Sequence, residues 1–300
     1  MPVLPNEIVQ AGLDGDLVLF VGAGASMLLN LPSWGRLASK AFEDLRAAGH
    51  LNYSEIEQLR NLDPKKQLSI AKLVAEECAY ELHLERHLID AVEGESIYKA
   101  INDIGCPCVT TNYDNLLSPR YLATKDGSTT SAPVRRIIEP GQFFGRLLNE
   151  PGTVVHLHGS VSDPATMVVT TREYLAHYDH DNVKEFLTEL FSRKAVLFLG
   201  YGLDEAEILE HVLRRAGARK IGERRRFALQ GYFMSQTPLY ESLHRYYEAS
   251  FGVHLLGFLR DREDYRCLER IVKNWAPQLE IRTPPLASDA EFLYEVLGRD

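Results

Sequence analysis

The chain has no Cys-x-x-Cys pair, so its four cysteines (Cys78, Cys106, Cys108 and Cys267) cannot build a four-cysteine zinc ribbon. So few cysteines fit reduced thiols in a reducing compartment. No apolar run is long enough to span a bilayer. The segment Met1–Gln10 holds two prolines and a glutamate, and it lacks the charged-then-apolar pattern of a signal peptide. A cytoplasmic location is expected. Positive charge is also short: 33 Lys and Arg stand against 42 Asp and Glu, a net charge of −9. That balance argues against a whole-surface nucleic-acid binder and leaves only a local patch or a partner for such contact. Internal repeats and low-complexity segments are absent. What remains is ordinary for a globular chain, 45% apolar and 25% charged. Its 300 residues suffice for one large core or two modest ones.

The chain is organised around Asp16-Leu-Val-Leu-Phe-Val-Gly-Ala-Gly-Ala-Ser26. The apolar run reads as a buried parallel strand. Gly22, Ala23, Gly24 and Ser26 then break it, and a helical pattern starts at Ser33 after Pro32. A strand, a glycine-rich turn and a helix form the phosphate-binding corner of doubly wound α/β folds. Many such turns only close a βα unit.

The rest of the chain alternates strands and helices, which implies a mainly parallel sheet with crossover helices. A short helix is expected over Pro5–Ala11, and Ser33 should cap another through Ala48. Residues 54–100 read as helical throughout, with caps at Ser54 and Asp63, and form either a cap over the ligand or a layer packed on the sheet. Strands are expected at Cys106–Thr111, Val134–Ile138, Thr153–Leu157, Met167–Thr170, Ala195–Leu199, Arg225–Gln230 and Val253–Leu256. The turn Thr110–Leu117 should open a short helix, and Ser118–Pro133 reads as a loop. One long helix should run from Thr171 to Arg193, another from Asp204 to Ala216, and others over Thr237–Ala249 and Arg262–Trp275. Residues 1–275 are taken as one domain, and 276–300 as a linker with a short helix.

Four polar clusters follow expected strands: Gly22–Ser26, Asn112–Asp114, His158-Gly159 and Gly200–Asp204. Ligands of open α/β sheets bind at the carboxyl ends of strands, so all four can meet in one crevice. In this order, G-A-G-A-S, T-T-N-Y-D, L-H-G and F-L-G-Y-G-x-D resemble the sirtuin fold family. The likeness is greatest to the zinc-less prokaryotic sirtuin-like domains of anti-phage defence systems, and it covers roughly residues 14–275. It implies a Rossmann-like fold that binds NAD. It further implies that Gly22, Ala23, Gly24 and Ser26 line the pyrophosphate and ribose side. Trp34 would stack near the nicotinamide or serve the core, and Thr111 would meet the ribose. Asn112 would hold the nicotinamide ribose and a water, and Asp114 would accept from the nicotinamide amide. His158 would act as general base, and Gly200 and Asp204 would lie near the adenosine half.

The chemistry suits those residues. Cleavage of the N-glycosidic bond of NAD passes through an oxocarbenium-like state. Nicotinamide leaves readily from its cationic form, so pose and exclusion of bulk water matter more than a strong acid. An uncharged amide orients water without competing as a nucleophile, and a histidine accepts protons near neutral pH. Plainer readings stand beside these. Asn112 could be a helix N-cap, Asp114 could serve a helix dipole, and His158 could be a turn histidine. His156 and His158 could pair on a metal, but no third ligand is evident nearby, so no metal is expected. Arg214–Arg226 is a solvated basic stretch or a contact patch.

The chain departs from the deacylase pattern. It lacks the zinc ribbon, and Thr111 replaces a glutamine, Gly35 an arginine and Gly202 a serine. The first three differences favour NAD hydrolysis over protein deacylation. The resemblance thus implies an NADase that depletes the infected cell (abortive infection). It would be gated by homo-oligomerisation or by a partner such as a HerA-like ATPase sensor or an Argonaute-like protein. The rivals are a deacylase or ADP-ribosyltransferase, and a module that senses NAD or ADP-ribose without turnover.

Overall fold

The computed structural model describes residues 1–89, 96–120, 122–125, 128–131, 134–203, 205, 208 and 225–279. Its main sheet has seven parallel strands. In spatial order they are β5 (Arg135–Ile137), β6 (Thr153–His156), β2 (Cys108–Thr110), β1 (Leu17–Val21), β7 (Ala195–Leu199), β8 (Arg226–Tyr232) and β9 (Val253–Leu259). The order reverses beside β1, where the chain first builds outward through β2 and later returns to place β7 on the other side. A crevice opens at the carboxyl ends of strands at such a switch point. Every residue of β1 and β7 is buried, as continuous apolar runs in a two-faced parallel sheet must be.

Helices cover both faces. Leu17, Leu19 and Val21 of β1 pack with α1 (Asn6–Leu13), α6 (Ile97–Ile104) and α10 (Arg266–Trp275). The alternate side chains Val18 and Phe20 face α7 (Thr171–Asp179), α8 (Asp181–Arg193) and the half-buried face of α9 (Thr237–Phe251). This is the expected Rossmann-like, doubly wound α/β fold with a fully parallel main sheet.

A third core lies outside the two sheet faces. It joins α3 (Trp34–Ala47) and α5 (Pro64–Glu77) through Leu37, Ala41, Phe42, Leu45, Leu68 and Ala71, with Ile56 and Leu59 of α4 (Tyr53–Leu59) at its edge. It rests on Tyr113, Met167 and Val169, which follow β2 and β6. The helical insertion therefore packs over the strand ends, with its own core. α6 leaves that unit and packs on the sheet.

Several local expectations are corrected. The corner after β1 is helical at once: α2 (Ala23–Met27) starts behind an extended Gly22. Ser33 caps α3 as expected, but Asn52 rather than Ser54 caps α4, in a reciprocal box with Glu55. Asp63 caps α5 ahead of Pro64. No helix follows Asn112; Asp114 instead turns back to accept from Leu116 N at 3.1 Å. Met167–Thr170 is not a strand, because its apolar side chains fill two cores without joining the ladder. Thr170 then caps α7. The long helix of 171–193 breaks at His180, whose extended backbone ends α7 and whose Nδ1 accepts from Asn182 N to start α8. The expected loop at 118–133 contains two paired antiparallel strands, β3 (Leu122–Lys125) and β4 (Ser128–Ser131). The helix expected from Asp204 and the segment 280–300 lie outside the described residues.

Candidate functional site

The turn after β1 presses directly on the turn after β7. Gly22 N donates to Leu199 O at 2.9 Å, and Gly24 N donates to Gly200 O at 2.8 Å. A Cβ on Gly24 would stand 2.8 Å from Gly200 O and 2.9 Å from Gly200 Cα. Gly200 itself needs a left-handed backbone, φ +62°. The small residues of G-A-G-A-S thus let two backbones touch.

A cleft of about 600 Å³ lies over this junction, within the usual range for ligand sites. Ala23, Gly24 and Thr111 line it from β1 and β2, and Gly200–Gly202 from β7. Leu229–Gly231 and Phe258 extend it across β8 and β9, and Trp34 and Asp63–Lys65 form the outer wall from the cap. A second pocket of about 30 Å³, room for a water or two, adjoins it and shares Ala23, Trp34 and Thr111. Ser26, Pro32, Leu88, Asn112 and Asp114 are among the other residues that line that pocket.

A buried polar network lines the small pocket. Ser26 Oγ donates to Asp114 Oδ2 at 2.6 Å. The two amide hydrogens of Asn112 are shared among Gly22 O at 3.0 Å, Ser26 Oγ at 2.9 Å and Tyr98 Oη at 3.2 Å. Tyr98 Oη also lies 2.8 Å from Ser26 Oγ. Burial holds the Asp114 carboxyl above the ordinary carboxylate range, against the lowering effect of its bonds from Ser26, Leu116 N and Tyr98. Burial, reinforced by Asp114, pushes the Tyr98 hydroxyl far up, so it stays a neutral donor. One group of the network is unused: Asn112 Oδ1 is buried and has no hydrogen-bond partner. An orphan acceptor of this kind favours a ligand that brings a donor.

His158 is fully buried beside this site and lines neither pocket. Its Nε2 meets Tyr178 Oη at 2.8 Å, and its Nδ1 meets Tyr174 Oη at 3.2 Å. Glu205 Oε2 stands 3.7 Å from Nε2. Tyr174 and Glu205 both line the cleft, so they connect His158 to it. Burial, then the nearby His177 and Lys65, hold His158 well below the usual histidine range, which makes it a neutral imidazole. His156 takes a different partner. Its Nδ1 donates to Asn112 O at 3.1 Å and fixes the backbone of the candidate catalytic residue.

The structure therefore gathers Gly22, Ala23, Gly24, Ser26, Trp34, Thr111, Asn112, Asp114 and Gly200 around two adjoining pockets, with His158 one residue behind. Asp204 and residues 214–224 of the basic stretch lie outside the described residues. Its last two members serve the fold. Arg226 donates from the core to Phe191 O and Phe251 O, both at 2.8 Å, and Arg225 donates to Arg193 O at 3.0 Å. Tyr98, Tyr174, Tyr178, Lys65 and Glu205 were not singled out in the sequence. Tyr98 lies on the buried face of α6, and its hydroxyl gains meaning from Ser26, 72 positions away.

With this geometry in view, comparison with known proteins shows what the chain is similar to. Residues 108–254 match the family model of the SIR2-like domain. The chain is also similar to defense-associated sirtuin 2 of Bacillus subtilis, being 28% identical over 210 residues. That alignment covers 68% of this chain, and the chain spans only 19% of the relative's length. Among the described residues no helix is long and apolar enough to cross a membrane.

Proposed function

We propose that the protein is an NAD+ glycohydrolase acting in anti-phage defence. The observation that carries this reading is the orphan acceptor Asn112 Oδ1, on a residue that lines the small pocket adjoining the cleft. The dinucleotide would lie across the switch point, with its nicotinamide ribose at Asn112 and its adenosine toward Leu229–Gly231 and Phe258. Asn112 Oδ1 accepts from a ribose hydroxyl or the attacking water. The C1′–N bond breaks with its electron pair passing to the pyridinium nitrogen, and the water oxygen bonds to C1′. The proton released goes to the Glu205–His158 pair, in which Glu205 faces the cleft and neutral His158 stands behind it. The products are nicotinamide, ADP-ribose and a proton.

The small pocket, at about 30 Å³, admits water but not a pyridinium ring. Ring entry needs this lining to open. That closed state supports an enzyme held inactive until an oligomer or a partner protein opens it. The name of the B. subtilis relative supports the defence setting.

The test is nicotinamide release from NAD by the purified chain, alone and with the protein encoded beside it. Loss of turnover in both Asn112→Ala and His158→Ala, with NAD binding largely kept, is the expected result. Turnover only with the neighbour present would establish the gate. Bound NAD without turnover in every condition would instead favour a sensing module, and O-acyl-ADP-ribose or modified protein would favour the transferase reading.

A further inference from the structure

At the opposite end of β9 from the cleft, three side chains converge on one point. His244 and Glu248 stand four apart on α9, hence on one face, a turn from each other. α9 ends at Phe251, and Gly252, with φ +62°, turns the chain into β9. This return brings His254 back to the same carboxylate. His244 Nε2 lies 3.2 Å and His254 Nδ1 3.1 Å from Glu248 Oε2, and the two imidazole rings are 4.8 Å apart. The three donor atoms all fall within 4.8 Å of one another, the one group of its kind among the described residues.

We propose that His244, Glu248 and His254 form a binding site for a divalent transition-metal ion of the zinc class. The donor set, two imidazoles and one carboxylate, suits a borderline ion rather than magnesium or calcium. Metal bonds of roughly 2.0–2.2 Å in a tetrahedron put neighbouring donors about 3.3 Å apart, close to the two histidine–carboxylate distances of 3.2 and 3.1 Å. The side chains are 28%, 37% and 21% exposed, so water can reach a fourth position. Phe258, near the other end of β9, lines the cleft. The ion therefore stays clear of the NAD chemistry and staples the last turns of α9 to the edge strand. The site is independent of the hydrolase reading.

The test uses untagged, chelator-treated full chain, titrated with Zn²⁺ by calorimetry and with Co²⁺ by visible absorption. The expected result is one equivalent bound, a four-coordinate Co²⁺ spectrum with nitrogen and oxygen ligands, and a rise in melting temperature on adding Zn²⁺. Each of Glu248→Gln, His244→Ala and His254→Ala should weaken binding at least tenfold and abolish the melting shift. Glu248→Gln keeps shape and hydrogen bonding, so it stands as the decisive variant if a histidine variant does not fold. No stoichiometric binding by the wild type, or full affinity retained in Glu248→Gln, would overturn the proposal.

Discussion

Ser26 donates a 2.6 Å hydrogen bond to Asp114 across 88 positions of sequence, tying the corner after β1 to the turn after β2. The same hydroxyl accepts from Asn112 Nδ2 at 2.9 Å. Ser26→Ala therefore strips a partner from a buried carboxyl and a buried amide together. A loss of about 1–3 kcal/mol is expected in urea unfolding. Nicotinamide release should fall with it, because Asn112 loses one of the contacts that aim its carbonyl.

Tyr98→Phe isolates the hydroxyl that the sequence left unnoticed. The ring keeps its place among Ile97, Ile101 and Leu117, and only the bonds to Ser26, Asp114 and Asn112 are lost. About 1 kcal/mol of stability should go, with a smaller fall in turnover than Asn112→Ala produces. Thermal melts and single-turnover kinetics check the two parts separately.

Gly24→Ala places a methyl group against backbone that has nowhere to go, 2.8 Å from Gly200 O. The β1 and β7 corners must part. Overpacking of this kind costs about 1–3 kcal/mol, and NAD affinity by calorimetry should weaken along with stability. Gly35→Ala is the matching control, since its nearest neighbour, Pro64 Cγ, is 4.0 Å away.

Acid should unfold the protein early. Burial lowers His156 and His177 to about 4 and His158 well below the usual value. Unfolding frees these side chains to titrate near 6.5, so the unfolded state binds more protons below that pH. Their contribution is fully present above about pH 6.5 and is lost as pH falls toward 4, at up to three extra protons taken up on unfolding. Asp114, shifted upward, contributes in the opposite sense: stability present below the unfolded carboxyl value is lost as pH rises through its folded one. Urea midpoints at pH 7, 6, 5 and 4.5 should fall steadily. His177→Gln should flatten the fall, and a flat profile in the wild type would contradict the neutral buried histidines.

Much of the frame was legible in the sequence because burial writes itself there. β1 and β7 are continuous apolar runs, and each strand end carries its polar cluster. Tertiary relations were not legible. Met167, Val168 and Val169 look like a strand but split between two cores. The break at His180 has no proline or glycine to announce it, only a ring nitrogen that accepts from Asn182 N. The Ser and Thr residues of the 128–131 strand carry no apolar alternation. Asn112 could be a helix cap on paper; with no helix after it, its carbonyl stands free for chemistry.

The register of β1 sets a timetable for synthesis. Leu19 pairs with Cys108 on one side, and Leu17 with Ala195 on the other. Contacts of such long range form late. A nascent chain that has left the ribosome only as far as β6 holds Asn112 and Ser26 but lacks Gly200, and with it the floor of the cleft. Until the residues around Phe258 and Leu268 also emerge, the far wall is missing. Both walls of the cleft thus come together only after residues as far along as Leu268 have been made.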